Sequence, residues 1–562
     1  MPTKPKVLVI GLDGATLNLI EPWAQAGHLP VMQRLMNTGA FGKLQSVMPV
    51  LSSAAWSSFM TGKNPGMHGM YDFVRREADG YRLRVMRREN IHSESLWKIL
   101  SRNDQRVGVI NVPMTYPAEE VNGFLVTGLG TPEFKPFTYP ESLGKELGER
   151  GYRVNKTETY RPDNEQAYLK ELHAMTARQH ENALWLMKEK PWDFFMNVFF
   201  GTDQVAHFFW RHMDPNHPAH DPEVDPVHAN AIRDFYQKVD GYIGELIEAA
   251  GPETSVFILS DHGAGPLYQD VFLNEWLRQS GYLTVLNSGS NQTAQLGGSH
   301  RVLARLGLTR SGVSAFLRRN RLGRVERWIK DALGDRIELL PRTQRADFPE
   351  AIDWEQTTAY SFGYQGQVYL NLKGREPQGI VPVEKYQQVC DEIAEKLLAI
   401  SDPRDGRRVV DRVLRRDDVF HGPYTDYAPD LILVMRGLAY NTRQGYEFSA
   451  RGGTVFTDPI TFESGCHRYE GVLIANGPGI QPAGRLEGAR LVDLTPTILH
   501  LMNCPVPDDM DGRVLSDWIT TRRPVEVEEG GSGKQNGAEE ATFSDEEEKE
   551  MIDRLKSLGY LE

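Results

Sequence analysis

Cysteine is scarce in this sequence of 562 residues, which contains only Cys390, Cys466 and Cys504. Three cysteines so far apart exclude a disulfide framework and a cysteine-based zinc site. The sequence also lacks the uncharged run of roughly 18 to 20 residues that a transmembrane helix needs, and the apolar stretch and cleavage site of a signal peptide. We therefore expect a protein without a transmembrane segment that resides in the cytoplasm.

An excess of positive charge is absent too, since the formal net charge is −13 and the isoelectric point is about 5.7. This balance excludes a protein that coats nucleic acid, and we expect no specific nucleic-acid binding. Part of the acidic excess lies in residues 521–562, which include VEVEEGGSGKQNGAEEATFSDEEEKE. Because this stretch has few apolar side chains to bury, residues 521–562 are predicted to form an acidic, largely disordered tail.

Strand-like runs of β-branched and aromatic residues alternate with helix-period segments up to about Gly265. Long crossover helices are predicted at residues 164–188 and 227–249, and a surface hairpin around Gly80. This alternation is typical of an α/β protein whose mostly parallel sheet is covered by helices on both faces. The predicted strands are 6–13 (KVLVIGLD), 107–112 (VGVINV), 124–128 (FLVTG), 193–200 (DFFMNVFF) and 255–260 (SVFILS).

The second half of the sequence begins with an Arg-rich, helix-period insertion at residues 276–350. It is interpreted as a solvated helical segment, as a cap that attracts anionic substrates, or as an amphipathic helix that contacts anionic lipid or a partner. Strand patterns at 367–372, 430–435 and 471–480 are then predicted to complete the core, followed by a helix at 491–502. The predicted organisation is core at 1–275, cap insertion at 276–350, core at 351–520 and tail at 521–562.

Acidic and imidazole side chains follow two of the predicted strands directly. Asp13 ends the first run, and Asp261 and His262 follow the run SVFILS. Since ligands bind beyond the carboxyl ends of parallel strands, these side chains are expected to meet at one edge of the sheet. Asp13 alone fits a helix N-cap as well as a metal ligand. A carboxylate and an imidazole buried together are costly unless they are paired or bind a metal.

Three further positions offer ligands or a nucleophile. Asp203 and His207 are four residues apart in a helical pattern, so they share one face either as an ion pair or as two metal ligands. Ser52 and Ser53 stand at a predicted helix start, where a serine is an N-cap or, beside a metal that stabilises its alkoxide, a nucleophile. His467 is predicted to lie in a loop. It is a candidate ligand because such a metal site needs a further imidazole.

Together these motifs resemble those of the type I phosphodiesterase/nucleotide pyrophosphatase family of the alkaline phosphatase superfamily, from Lys6 to about Asp511. The resemblance implies an alkaline-phosphatase-like three-layer α/β/α sandwich with a helical cap insertion. It also implies a nucleophile at Ser52, nine residues before the Thr-Gly pair of MTGKNPGMHG, that bridges two metal ions. The family pattern places one zinc on Asp203, His207 and His467, and the other on Asp13, Asp261 and His262.

The sequence departs from the family pattern at two places. Many relatives carry threonine where Ser52 stands, although a serine hydroxyl supplies the same chemistry. An asparagine that helps to bind the phosphoryl oxygen in some relatives corresponds to a place near Phe73. That contact is therefore unassigned, and backbone N–H groups after Ser52 are the expected donors.

The resemblance predicts a two-metal hydrolase that cleaves phosphodiester or phosphoanhydride bonds of nucleotide-type substrates through a phosphoserine intermediate. Two divalent ions are the expected cofactors, Zn²⁺ first and Mn²⁺ as the alternative. The expected partner is a small anionic phosphoester, for example a nucleotide, and the oligomeric state stays open. Alternatives are a phosphomonoesterase, a phosphonate hydrolase or a headgroup transferase on the same scaffold, or a binding relative without catalysis.

Overall fold

The computed structural model of the chain describes residues 4–156, 158–286, 348–443, 453–459, 462–530 and 542–558. Most of the Arg-rich insertion predicted at 276–350 lies outside the described residues, so the helical cap and its interpretations stay predictions. Within the part of the chain that is described, no helix is both long and apolar enough to pass through a bilayer.

Strands and helices alternate through the first half of the chain, as the sequence pattern predicts. The strands are β1 (Lys6–Leu12), β2 (Ala40–Gln45), β3 (Val74–Arg76), β4 (Leu83–Val85), β5 (Val107–Val112), β6 (Gly123–Thr127), β7 (Thr138–Tyr139), β8 (Phe194–Phe199), β9 (Thr254–Leu259), β10 (Gly263–Pro266), β11 (Gln269–Val271), β12 (Ala359–Ser361), β13 (Gln367–Leu370), β14 (Val410–Arg415), β15 (Leu431–Met435), β16 (Tyr440–Thr442), β17 (Phe456–Thr457), β18 (Gly465–Arg468), β19 (Glu470–Asn476), β20 (Gly484–Arg485), β21 (Ala489–Arg490), β22 (Val506–Pro507) and β23 (Val527–Glu528). The helices are α1 (Leu17–Gln25), α2 (Pro30–Thr38), α3 (Ser52–Thr61), α4 (Pro65–His68), α5 (Leu96–Arg102), α6 (Ser142–Glu149), α7 (Glu165–Glu189), α8 (Gly201–Met213), α9 (Pro226–Ala229), α10 (Ala231–Ala250), α11 (Leu273–Gln279), α12 (Phe348–Ala351), α13 (Tyr386–Leu398), α14 (Arg416–Val419), α15 (Leu494–Leu501) and α16 (Asp545–Leu558).

A central sheet, ten-stranded over the described residues, has the order β20-β2-β19-β9-β1-β8-β5-β6-β7, and β21 also pairs with β2. Its middle strands β9, β1, β8, β5 and β6 run parallel. Strand β19 pairs antiparallel with both β9 and β2, so the sheet becomes mixed on that side. The predicted α/β class with a mostly parallel sheet is confirmed.

Helices cover both faces of this sheet and form two hydrophobic cores. Successive side chains of a strand point to opposite faces. Val7 and Val9 of β1 therefore pack in the core with α3, α5 and α15, whereas Leu8 and Ile10 pack in the core with α1, α2, α7, α8 and α10. The result is the predicted three-layer sandwich. Burial on both faces also explains why these strands are continuous apolar runs in the sequence.

A second, smaller sheet lies apart from the central one and has the order β12-β13-β15-β14, with antiparallel neighbours. Its hydrophobic core contains Tyr360, Val368 and Leu433 together with Leu277 of α11 and Tyr81. Tyr81 lies between β3 and β4, which pair antiparallel and confirm the predicted hairpin around Gly80.

This second sheet corrects part of the predicted core. The runs at 367–372 and 430–435 are strands, as predicted, but they form β13 and β15 of the small sheet and do not complete the central one. Of the three late runs, only 471–480 contributes to the central sheet, through β19. The prediction failed because an apolar run indicates that a strand is buried without indicating which sheet it joins.

The described part of the C-terminal tail is folded, which corrects the prediction of a largely disordered segment at 521–562. Strand β23 pairs with β22, and Phe543, Met551 and Leu555 are buried in the larger of the two main cores. Met551 and Leu555 are one helical turn apart in α16, so a short apolar stripe was present within the acidic sequence.

Two acidic side chains of α16 are paired with cations on the body of the protein. Glu548 is 4% exposed and accepts hydrogen bonds from Arg84 Nη1 at 2.6 Å and from Val85 N at 3.2 Å. Glu547 pairs with Lys135 at 2.7 Å. From composition alone, these charges were expected to keep the tail exposed to water. Their pairing with Arg84 and Lys135 allows helix α16 to pack against the rest of the protein.

Candidate functional site

Three carboxylates of the predicted site follow the carboxyl ends of three adjacent strands. Because β1 pairs with β8 on one side and β9 on the other, Asp13, Asp203 and Asp261 are brought to one edge of the sheet. Each of these carboxylates is at most 1% exposed. Gly14 permits the close approach, since its φ is 65° and a Cβ there would lie 2.6 Å from Asp203 Oδ1.

Asp203, His207 and His467 form the first ligand group, in which one ligand atom of each residue lies within 4.8 Å of the others. His207 Nε2 is 3.0 Å from His467 Nε2 and 3.2 Å from Asp203 Oδ1. His467 Nε2 is 3.6 Å from the same oxygen. His467 lies in strand β18, not in the predicted loop, and this short strand presents its ring to α8.

Backbone carbonyls orient both imidazoles of the first group. His207 Nδ1 lies 3.0 Å from Gly465 O, and His467 Nδ1 lies 2.7 Å from Val50 O. Since a carbonyl can only accept, each Nδ1 carries a hydrogen, and each ring is held with its Nε2 directed at the group. Behind His207, Glu463 Oε1 is 3.4 Å from Nδ1.

Asp13, Asp203 and His262 form the second ligand group with the same spacing. Asp203 therefore stands between the two groups, whereas the family pattern assigned it to the first alone. His262 Nε2 is 3.8 Å from Asp13 Oδ1 and 3.3 Å from Asp261 Oδ2. Asp261 Oδ1 accepts a hydrogen bond from Gly14 N at 3.2 Å, while its buried Oδ2 has no hydrogen bond among the described residues.

Ser52 begins helix α3 and is fully buried against the second group. Its Oγ lies 3.3 Å from Asp13 Oδ1 and 3.1 Å from His262 Nε2. The first N–H groups of a helix have no carbonyl partner within it and carry partial positive charge, so they suit an anion beside Ser52. Phe73 packs in the apolar core, so its side chain supplies no donor and the helix N–H groups remain the expected ones. The buried Ser53 Oγ has no hydrogen bond within the described chain.

Besides Glu463, sequence reasoning missed two side chains that fix the site. Trp56 Nε1 donates to Asp13 Oδ2 at 2.8 Å, and its position one turn after Ser52 on α3 was a usable signal. Gln365 holds the backbone before Ser52, because its Oε1 accepts from Val50 N at 2.8 Å and its Nε2 donates to Val50 O at 3.1 Å. Gln365 is more than three hundred positions from Ser52 along the chain, and no local pattern indicated this contact.

Burial and mutual repulsion set the charges of the site. Burial alone would raise the pKa of Asp203, but the neighbouring His207 holds that pKa below its ordinary value. Asp203 in turn raises the pKa of His207 to about 9 against the opposing effect of burial. The pKa of Asp13 is raised well above its ordinary range by burial and by the negative charges of Asp261 and Asp203. Burial is also the largest cause of the raised pKa of Asp261.

This donor set fits two divalent cations. Buried carboxylates that repel one another, and a buried Asp261 oxygen without a hydrogen bond, are costly arrangements that nearby positive charge relieves. The mixture of carboxylate oxygens and imidazole nitrogens suits zinc and also manganese. The structure thus brings together all seven predicted site residues, Asp13, Ser52, Asp203, His207, Asp261, His262 and His467.

Comparison with known proteins gives both a family and a fold. The sequence profile of the family described as type I phosphodiesterase / nucleotide pyrophosphatase matches residues 7–447. A search of curated proteins found no match. Phosphonoacetate hydrolase from Sinorhizobium meliloti 1021, solved in complex with phosphonoformate, is 15% identical with a TM-score of 0.52, over 89% of this chain and 96% of that one. This likeness shows the same fold. Human ectonucleotide pyrophosphatase / phosphodiesterase 5 is 14% identical with a TM-score of 0.49, over 92% of this chain and 100% of that one.

Proposed function

Because the chain belongs to the type I phosphodiesterase/nucleotide pyrophosphatase family, a group of phosphoester hydrolases in the alkaline phosphatase superfamily, we propose that it is a two-cation hydrolase of phosphodiester or phosphoanhydride bonds. One observation carries this proposal. The Ser52 hydroxyl lies at the buried start of a helix, 3.3 Å from Asp13 Oδ1 and 3.1 Å from His262 Nε2. An N-cap serine has no need of a carboxylate and an imidazole at its oxygen.

In the proposed reaction Ser52 Oγ attacks phosphorus, so that a serine–phosphate bond forms while the bond to the leaving oxygen breaks. The serine proton ends on the leaving oxygen. Water then cleaves the phosphoserine and returns a proton to Ser52. The N–H groups of the first turn of α3 donate to the phosphoryl oxygens as negative charge grows on them. Gln365 keeps Val50, and with it the start of α3, in place.

The ligand groups described above would hold the two cations. When bound, divalent cations supply the positive charge that favours the attacking serine oxygen and neutralises the leaving oxygen. Without cations the site contains three buried carboxylates, and their negative charge repels an anionic substrate. We therefore propose that activity depends on metal, with Zn²⁺ first and Mn²⁺ as the alternative. The proposed ligands are Asp203, His207 and His467 for one ion, and Asp13, Asp261 and His262 for the other, with Asp203 between them.

The proposed substrate is a small anionic phosphoester of the nucleotide type. Family membership supports this class. The same attack by Ser52 also serves a phosphomonoester or a phosphonate ester, because the serine reacts at phosphorus in each case. Turnover of bis(p-nitrophenyl) phosphate, p-nitrophenyl phosphate and a phenylphosphonate ester by the metal-loaded protein ranks the three classes. A preference for the diester supports the proposed substrate.

Replacing Ser52 tests the covalent route, and its neighbour Ser53 provides a matched control. We expect Ser52→Ala to lower kcat by at least about 10³-fold while both cations stay bound, because the attacking oxygen is removed. Ser53→Ala removes a buried hydroxyl oxygen from the neighbouring residue and should change kcat by less than about tenfold. Near-normal turnover by Ser52→Ala with its cations in place contradicts the phosphoserine intermediate.

A further inference from the structure

A small cavity lies next to the candidate site, where β5, β6 and β8 end and α7, α8 and α16 pack together. Its volume is about 30 Å³, and one water needs roughly 10–15 Å³. The cavity therefore suits a compact group and excludes a nucleoside. Among the described residues that line it there is no carboxylate. Its polar lining residues are Asn111, Asn155, Lys156, Gln179, Gln204 and Arg554.

A chain of hydrogen bonds connects two residues that line this cavity, Lys156 and Gln204. Lys156 Nζ donates to Tyr168 Oη at 2.7 Å, and Tyr168 Oη donates to Gln204 Oε1 at 2.9 Å. Because Oε1 is used as the acceptor, the amide orientation of Gln204 is fixed and its Nε2 is left to donate. That nitrogen belongs to a fully buried side chain and has no hydrogen bond within the described residues. A buried donor without an acceptor is costly, so it indicates a missing partner.

The charge at the cavity points in the same direction. An ammonium group has three N–H donors, and Lys156 directs one of them to Tyr168. Burial lowers the pKa of Lys156 to about 7, although the charges of Glu171 and Asp203 act against the shift. An anion in the cavity would compensate for this desolvation. Arg554 also lines the cavity, but its guanidinium is already paired with Glu133 at 3.1 Å and Glu550 at 3.0 Å, so the anion would depend on Lys156 and Gln204.

We propose that this cavity binds a compact oxyanion of the inorganic phosphate class, held by Lys156 and Gln204. Such an anion offers only acceptors, which match the donors that the cavity presents. The site is distinct from Ser52 and goes beyond the proposed reaction. Gln204 follows Asp203 in α8, and Arg554 belongs to α16. Occupancy therefore acts on the helix that carries the first ligand group and on the C-terminal helix.

Titration calorimetry with inorganic phosphate tests the site in the full-length, metal-loaded protein. Lys156→Met removes the charge, whereas Gln204→Glu keeps the acceptor for Tyr168 and replaces the amide nitrogen with an oxygen that repels an anion. The matched control is Lys170→Met, which removes an exposed lysine of α7. We expect each cavity variant to bind one phosphate fewer than the unchanged protein, or to bind it at least about tenfold more weakly. The control should match the unchanged protein.

The measurement compares the number of phosphate ions bound by each variant and by the unchanged protein. A loss of one ion is detected whether or not the Ser52 site also binds phosphate. Failure of the proposed reaction and failure of this site are therefore distinguishable. Crystals soaked in arsenate, a phosphate analogue visible by anomalous scattering, locate the anion directly. We expect a peak beside Lys156 Nζ and Gln204 Nε2. A peak only at Ser52, or equal stoichiometry and affinity in all four proteins, overturns the proposal.

Discussion

The two ligand groups of the site use the same residue types but differ in charge balance. The first group joins one carboxylate, Asp203, to the imidazoles of His207 and His467. The second joins Asp13 and the shared Asp203 to a single imidazole, His262, and Asp261 adds a further carboxylate beside it. The first group is therefore close to neutral by itself, whereas the second has an excess of negative charge.

This difference appears directly in the pKa values of the carboxylates. In the first group His207 holds the pKa of Asp203 below its ordinary value, although burial opposes this. In the second group burial, Asp261 and Asp203 all raise the pKa of Asp13. Protein contacts thus compensate the charge of the first group, while the second keeps an excess of negative charge that a proton or a bound cation relieves. We expect the cation of the second group to stabilise its carboxylates more than the cation of the first group does. Because Asp203 is shared, a change at this residue should affect the binding of both cations.

The largest effect is expected from the carboxylate that stands between the groups. Asp203→Asn should lose both cations and lower kcat by at least about 10³-fold, because both groups use this carboxylate. Asp13→Asn should lose only the cation of the second group. Metal analysis of the purified proteins, with the exposed Asp517→Asn as control, measures the difference. If Asp203→Asn loses one cation only, the carboxylate is not shared and the groups are independent.

A smaller effect is expected behind the first group, at Glu463. Its Oε1 lies 3.4 Å from His207 Nδ1, and a carboxylate behind a ligating histidine typically contributes about 10–100-fold to metal affinity. Glu463→Gln should therefore weaken the cation of the first group by this factor and leave the second unchanged. Competition with a chelator measures both affinities, and Glu487→Gln at an exposed position is the control. Equal weakening of both cations would contradict the assignment of Glu463 to one group.

Much of the fold and most of the site could be predicted from local sequence. The central strands are apolar runs that are buried on both faces, and the predicted bounds of β5 agree with the structure. Asp13 and Asp261 were found because a carboxylate directly after such a run lies at the ligand-binding edge. The helical spacing placed Asp203 and His207 on one face but left an ion pair and two metal ligands open, and the family resemblance favoured the ligands. These signals are local, so a single sequence contains them.

Contacts between distant segments could not be predicted in this way. Gln365 and Glu463 act through tertiary contacts with Val50 and His207, and neither has a spacing rule that marks it. The sharing of Asp203 depends on distances between three strands and not on sequence order. The helix around Met551 was missed for a different reason. Its apolar stripe was present in the sequence, but the prediction gave more weight to the acidic composition than to the ion pairs that these acidic residues could form.

The smallest predicted effect concerns the second group, at the hydrogen bond from Trp56 to Asp13. Trp56→Phe removes an N–H that donates to Asp13 Oδ2 at 2.8 Å, so the carboxylate loses one orienting partner and the second cation should bind about tenfold more weakly. Trp97→Phe is a matched control, because this equally buried tryptophan donates to Glu119 at 2.6 Å in the same core. Both changes leave a similar cavity and should lower the free energy of unfolding by about 1–3 kcal/mol. Only Trp56→Phe should change metal affinity, and only at the second group. Equal loss of affinity in both variants would mean that core packing, and not the orientation of Asp13, sets how strongly this group holds its cation.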